Sequence, residues 1–158
     1  MALKTLGVDG NFADIGTAWN YLRTIDPLAN DYTFTIISDF DEVTGVSYGS
    51  SLDFGGLTVS FINPNNYIIT NNKHGYTLQS LHGGNDHLKT ENLIIKQTTN
   101  VYDDYMMLTS AESTANTMHV THKNLTLIGN NTIQESNVGL FIRIGDDIKI
   151  NNLRVSGF

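Results

Sequence analysis

The sequence predicts an all-β fold, a parallel β-helix in which each coil of strands stacks on the next. The first observation is a phrase, Asn-Leu-x-aliphatic followed by a polar residue or Gly, at residues 92–96, 124–129 and 152–157. Its starts are 32 and then 28 residues apart, an interval typical of solenoids, whose coils bury their apolar faces against one another. The second observation is that apolar residues such as Leu125 and Leu127 alternate with polar ones, which is the period of a strand.

Short strand candidates fill the intervals between these phrases. Residues 105–109 and 118–122 separate the first two, and residues 140–144 and 148–150 separate the second and third. About three short strands per coil is the count of a right-handed β-helix. The main alternative is a sandwich of antiparallel strands, because short strands with turn signals every ~10 residues also suit it. The recurrence at about 30 residues favours the solenoid.

The N-terminal region predicts one short α-helix, at about residues 14–25. Asp14 stands at the N-cap position and Pro27 closes the segment. A short amphipathic helix before a run of strands is typical of a cap that covers the open first coil. We expect Trp19 to be buried between this cap and the coil. The apolar residues at i, i+3, i+4 and i+7 of the helix are Ile15, Ala18, Trp19 and Leu22.

The chain is interpreted as a single domain with two parts. Residues 1–45 form the N-terminal cap, which contains the helix and a first strand at residues 32–37 with a turn at 38–42. Residues 46–158 form the coils of the β-helix. The early strand candidates in this part end at turns rich in Asn or Gly, and they lie at residues 57–62, 67–70 and 76–81.

Composition excludes several classes of function. The net charge is -7 with a pI near 4.9, and the nine Lys and Arg residues are scattered, which argues against a nucleic-acid partner. Cysteine is absent, so disulfides and thiolate metal sites are excluded. No segment resembles a membrane span or a signal peptide. Asn is abundant, and we expect it at left-handed corners, stacked in ladders along the solenoid axis.

The chain resembles a known superfamily over nearly its whole length, and two segments carry the resemblance. Residues 9–19 resemble the Asp-Gly-x-Phe-x-x-Ile-x-x-Ala opening of pectin-lyase-like right-handed β-helix proteins, where it becomes the capping helix. Residues 124–132 are similar to a strand-and-turn phrase of the same superfamily. It includes pectate lyases, pectin methylesterases, polygalacturonases and phage tailspike and tail-fibre proteins. The resemblance therefore implies the architecture strongly and the chemistry weakly.

Acidic pairs are the candidates for glycosidic chemistry, which requires two carboxylates across the scissile bond. Adjacent acids occur at residues 41–42, 103–104 and 146–147, all in predicted turns, where we expect solvated side chains. Asp103 and Asp104 are the strongest catalytic candidates, because they lie between the first two signature strands, where a side groove would form. They lack the Gly-x-Asp-Asp and Arg-x-Lys phrases of the enzymes that the chain resembles.

Metal and cofactor sites have weaker support. His82 and His87 flank a polar loop, in which Asp86 would complete a metal site; a loop without metal is the simpler interpretation. His119 and His122 are three apart in a strand and should face opposite sides. We expect no cofactor, and Ca²⁺ enters only if the chain is a lyase, as the resemblance would imply.

Basic and aromatic residues supply two further candidates. Arg143 and Lys149 lie on neighbouring predicted strands and would come together if those strands packed side by side. Their stems more commonly cover apolar surface. Tyrosines on the strands would offer stacking platforms for sugar rings if they lined up along the axis, although packing is their usual role. They are Tyr32, Tyr48, Tyr67, Tyr76, Tyr102 and Tyr105.

The sequence favours a non-catalytic structural module of a larger assembly, closest in character to phage tailspike or tail-fibre modules, in a virion or at an extracellular surface. We expect other protein subunits or continuing chain to cover the C-terminal coil, since an open coil exposes strand edges. A polysaccharide lyase or hydrolase, or its N-terminal fragment, is one alternative. A carbohydrate-binding module is the other, with surface polysaccharide as its partner. The structural residues are Trp19 and the column Leu93, Leu125 and Leu153, which should stack inside the coil.

Overall fold

The structure is a computed structural model that describes ten segments of the chain. They are residues 1–25, 27–44, 52, 54–71, 78–80, 86–98, 105–110, 118–129, 138–143 and 147–157. These segments form a parallel β-solenoid with one short α-helix near the N-terminus, which confirms the predicted fold class.

Twelve strands and one helix make up the described part of the chain. In order they are β1 (Ala2–Leu6), α1 (Ile15–Arg23), β2 (Tyr32–Ile36), β3 (Phe40–Glu42), β4 (Thr58–Ile62), β5 (Ile68–Asn71), β6 (Leu78–Ser80), β7 (Asp86–Glu91), β8 (Ile94–Gln97), β9 (Tyr105–Ser110), β10 (Met118–Ile128), β11 (Val138–Arg143) and β12 (Asp147–Ser156).

The strands form three rows along the solenoid axis. The first row is β1, β2, β4, β7 and the first part of β10, and the second is β3, β5, β8 and the last part of β10. Strand β12 pairs with β10 along nearly its whole length, and β6, β9 and β11 form the third row. Every strand pairing within the described segments is parallel. Each row therefore joins strands from successive coils, as a solenoid requires.

The three repeated phrases occupy the same position in successive coils. Leu125 pairs in register with Leu153, and the N–H of Thr126 donates to the carbonyl oxygen of Leu93 at 2.8 Å. Leu93 and Leu125 are fully buried, whereas Leu153, on the last described strand, keeps 40% of its surface exposed. The spacing of 32 and 28 residues is thus the length of chain in one coil.

The core is the interior of the coils, and inward side chains of each row stack directly on one another. Strand β2 alternates buried and half-buried residues along its length, as a strand with one inward face does. Phe34 of β2 pairs with Phe61 of β4, and their rings stack with centroids 5.1 Å apart. Stacked apolar side chains of this kind supply most of the burial that stabilises the coil.

Helix α1 covers the first coil with its apolar face. Its buried residues include Ile15, Ala18, Trp19 and Leu22, the face that the sequence indicates. Trp19 is fully buried, with ring centroids 6.0 Å from Phe54 and 6.4 Å from Phe61. The helix is shorter than expected, since it ends at Arg23.

Three strands differ from the sequence-based assignment. Strand β3 lies where a turn was predicted, β7 begins inside the predicted loop, and β1 was not predicted at all. These segments carry few large apolar residues, so their pattern is weak. In the solenoid they gain parallel partners, and this pairing provides the backbone hydrogen bonds that local propensity does not secure.

Candidate functional site

Asparagines form a ladder at the corner between the first and second rows. Asn92, Asn124 and Asn152 have φ values of 57°, 53° and 63°, in the left-handed region that Asn tolerates well. The side-chain amide of Asn124 donates to Oδ1 of Asn92 at 2.8 Å, and that of Asn152 donates to Oδ1 of Asn124 at 3.0 Å. One residue type therefore turns the chain and joins the coils, as the sequence predicts for its abundant Asn.

A groove of about 390 Å³ runs beside this ladder on the outer surface. It crosses four successive coils, because its lining residues come from the same corner of each coil. They are Asn66, Asn92, Ile94, Asn124, Thr126, Asn152 and Arg154.

The groove offers amides, a hydroxyl and one guanidinium, a set suited to hydrogen bonding with polar ligands. None of the described residues that line it is acidic. The repeated amides lie at the spacing of parallel strands, about 4.8 Å, which suits an extended ligand.

The acid pair at residues 41–42 differs from expectation, because Glu42 is fully buried. Its carboxylate accepts hydrogen bonds from the backbone N–H groups of Ile15 and Gly16, each at 2.9 Å. These donors belong to the first turn of α1, where N–H groups lack partners within the helix. Glu42 thus joins the helix to the coil and is not a solvated turn acid.

Asp14 performs a similar role from the helix side. Its carboxylate accepts hydrogen bonds from Thr17 and from the backbone N–H groups of Val43 and Thr44, at 3.1 and 2.8 Å. Burial acts to raise the pKa of Asp14, but the hydrogen bonds from Thr17 and Thr44 outweigh it and lower the pKa below its ordinary value. The N-cap predicted at this position is confirmed.

Asp86 has a structural role that the sequence did not indicate. It is the first residue of β7, is fully buried, and accepts from the N–H groups of Phe54 and Gly56, both at 3.1 Å. The carboxylate that was considered as a metal ligand therefore secures the preceding coil. His82 lies outside the described residues, and among those described no group of three or more His, Cys, Asp or Glu could hold a metal ion.

His119 and His122 lie in different environments and have different roles. His122 is fully buried inside the coil, and its Nδ1 lies 2.7 Å from the hydroxyl of Thr90. No described residue makes a hydrogen bond to its Nε2. Burial lowers the pKa of His122 to about 4, because the interior disfavours the charged imidazole.

His119 lies on the outer surface of β10 and pairs in register with His87 of β7. Their rings stack, with centroids 4.5 Å apart and an angle of 11° between the planes. Burial and the neighbouring charges of His119 and Lys89 lower the pKa of His87. The sequence did not suggest this pair, because the two residues are a coil apart; the signal is visible only once the register is known.

Asp103 and Asp104 lie outside the described residues, so the structure does not place the strongest catalytic candidates. Arg143 and Lys149 belong to β11 and β12, which lie in different sheets, so their strands are not side by side. Tyr32 is buried and packs on Phe34 with centroids 6.2 Å apart, as a core residue and not a sugar platform. Burial raises its pKa.

Comparison with protein-family models, with curated proteins and with solved structures found no match to this chain. The class of protein is therefore defined by its fold, a parallel β-solenoid with an N-terminal helix. Within the described segments, no helix is long and apolar enough to span a membrane.

Proposed function

We propose that this chain is a non-catalytic structural module of a larger assembly, in which another protein subunit or continuing chain covers the last described coil. The observation that carries the proposal is that four apolar side chains of β12, at positions equivalent to core positions of β10, are exposed. Ile148, Ile150, Leu153 and Val155 remain 40 to 53% exposed.

These four positions are the inward-facing row of the coil. They pair in register with residues of β10 that are fully buried: Val120, His122, Leu125 and Leu127. Contiguous exposed apolar surface with this pattern is typical of an interface, because burying it is favourable at about 25 cal/mol per Å².

The backbone of β12 supports the same proposal. One edge of β12 pairs with β10, and no described strand pairs with the other edge. An unpaired strand edge is a template for further pairing with another chain. A subunit that presents a strand to this edge would satisfy the backbone groups and cover the apolar row together.

Sedimentation of the purified chain tests the assembly proposal. We expect concentration-dependent association at about 100 µM, and a largely monomeric protein after Ile148→Lys/Val155→Lys, which places two charges in the interface. The matched control is Leu3→Lys/Val8→Lys, since both residues are exposed apolar residues of the N-terminal segment, far in sequence from β12. This control should associate like the unaltered chain. A monomeric unaltered chain, or equal loss of association in both variants, would contradict the proposal.

The finer proposal is a pectin-lyase-like module of a phage tail structure, located in a virion or at an extracellular surface. Its support is the resemblance of residues 9–19 and 124–132 to that superfamily. Electron microscopy of the associated protein sharpens it, because a tail module should form rigid rods along the solenoid axis. Shapeless aggregates would remove this support.

A polysaccharide lyase or hydrolase is the enzymatic alternative, and it rests on Asp103 and Asp104. The non-catalytic proposal predicts no cleavage when the chain is incubated with pectic and bacterial-surface polysaccharides. Release of reducing or unsaturated ends, lost in Asp103→Asn/Asp104→Asn, would replace the structural proposal with the enzymatic one.

The groove supports a second candidate function, the binding of an extended polysaccharide. Its amides, the hydroxyl of Thr126 and the guanidinium of Arg154 are groups that bind hydroxyls and carboxylates of sugars. A carboxylated polysaccharide should bind the chain and lose affinity on Arg154→Gln. Lys149→Gln is the control, because Lys149 is an exposed cation of the same strand that does not line the groove. Equal affinity of all three proteins for the polysaccharide would exclude the groove as its binding site.

A further inference from the structure

The outer surface of the first row carries two imidazoles held side by side. His87 of β7 and His119 of β10 are register partners on neighbouring parallel strands, and both are partly exposed. Their ring centroids are 4.5 Å apart and their planes differ by 11°. The backbone ladder fixes the strands at about 4.8 Å, so the pair has little freedom to separate.

A metal ion held by both rings requires one nitrogen of each ring to lie closer together than the ring centroids do. Metal to imidazole nitrogen distances are about 2.0–2.1 Å, so two ligating nitrogens lie roughly 3 Å apart. Small rotations of the two rings about their side-chain bonds bring one nitrogen of each into that range. Imidazole is a preferred ligand for Zn²⁺ and Cu²⁺, whereas Mg²⁺ and Ca²⁺ prefer oxygen.

Burial is the largest cause of the lowered pKa of His87, and the neighbouring His119 acts in the same direction. The carboxylates of Asp86 and Asp31 act electrostatically on His87, while Lys89 acts in the opposite sense. The lowered pKa of His87 favours the neutral imidazole, which is the form that binds metal.

We propose that His87 and His119 form a two-histidine site for Zn²⁺ or a similar divalent transition-metal ion on the outer surface of the solenoid. Water completes the coordination, so the ion remains exchangeable and has open positions. The ion would bridge β7 and β10 and join two coils. This proposal is independent of the assembly function, because the pair lies on the outer surface and not on the inward row of β12.

Titration calorimetry with ZnCl₂ tests the site. We expect one ion per chain, and a loss of affinity by about tenfold or more in His87→Asn and in His119→Asn, since each removes one of two ligands. Thr121→Asn is the matched control, because Thr121 lies two residues from His119 on the same strand and leaves both imidazoles in place. It should bind like the unaltered chain.

Circular dichroism of each variant shows whether the fold is retained, and a rise of the melting temperature with Zn²⁺ provides a second measurement, since an ion that binds only the folded state stabilises it. This rise should occur in the unaltered chain and in Thr121→Asn but not in His87→Asn/His119→Asn. Zn²⁺ affinity that is unchanged in folded single variants, or retained in the folded double variant, would overturn the proposal.

Discussion

The two ends of the described solenoid expose very different surfaces. At the first end, α1 places Trp19 and three aliphatic side chains against the coil, and all are fully buried. At the last strand, β12, the corresponding inward row stays about half exposed. The coils themselves have the same register and the same corner, so the difference arises from what covers them. Each coil of a solenoid buries its apolar face only against its neighbours, so an end without a neighbour or a cap keeps that face exposed.

Polar contacts also secure the first end. Within the described residues, the last coil has no counterpart to these contacts. Glu42 accepts hydrogen bonds from backbone N–H groups in the first turn of α1, and Asp14, at the N-cap of α1, accepts hydrogen bonds from the two backbone N–H groups that follow Glu42. Hydrogen bonds to ionised carboxylates are stronger than those between neutral groups. The cap is therefore held by charge-assisted bonds in addition to apolar packing.

The largest expected effect comes from placing a charge at equivalent positions of neighbouring coils. Leu125→Asp should prevent folding, because it buries an unpaired carboxylate in the covered coil. Leu153→Asp should leave the protein folded, since Leu153, the register partner of Leu125 on β12, is 40% exposed. Circular dichroism and urea unfolding of both variants measure the difference. A folded Leu125→Asp variant with near-normal stability would refute the stacked column.

Removal of Trp19 tests the cap itself. Trp19→Ala should lower the free energy of unfolding by about 3–5 kcal/mol, because a large cavity is left between α1 and the first coil. Leu3→Ala, at a position that is 67% exposed, should change it by less than about 0.5 kcal/mol. Urea unfolding gives both values, and tryptophan emission typical of full water exposure in the folded protein would show that the cap is wrongly placed.

Acid should weaken the covered coil through His122. Its folded pKa is about 4, below the ordinary unfolded value, so the unfolded state binds a proton more readily. The stability associated with the neutral ring is therefore complete above about pH 6.5 and decreases as the pH falls towards 4, by about 2 kcal/mol at pH 5. Urea unfolding at pH 7 and pH 5 measures this loss.

His122→Leu is the control for the acid effect, because it replaces the titrating ring with an apolar side chain that cannot titrate. The variant should lose less stability than the unaltered chain between the same two pH values. Equal losses in both proteins would show that His122 does not titrate as burial requires.

The smallest expected effect separates two levels of the asparagine ladder. Asn124→Gly should lower the free energy of unfolding by about 1–3 kcal/mol, because it removes the hydrogen bonds with both Asn92 and Asn152. Asn152→Gly removes only the bond to Asn124 and should cost about half as much. Gly retains the positive φ at both corners, so the comparison isolates the amides. Identical unfolding midpoints in urea would indicate that the ladder does not join the coils.

Most of the fold could be predicted because its unit is local and repeated. The Asn-Leu phrase specifies a left-handed corner followed by an inward leucine, and three copies reveal the length of the coil. The helix could be predicted from its apolar period and its N-cap, both of which depend on neighbours in sequence. Strand β7 could not, since its polar residues become a strand only through pairing with β4 and β10.

The candidate sites show the same division. The sequence alone predicted the class of fold, the asparagine corners and the helix cap, because each is determined by residues a few positions apart. Only the tertiary structure decided that Asp86 and Glu42 are buried acceptors, that His87 meets His119, and that seven residues from four coils line one groove. These contacts join residues about one coil apart, so they depend on the register between strands, and register is set by the packing of the whole core.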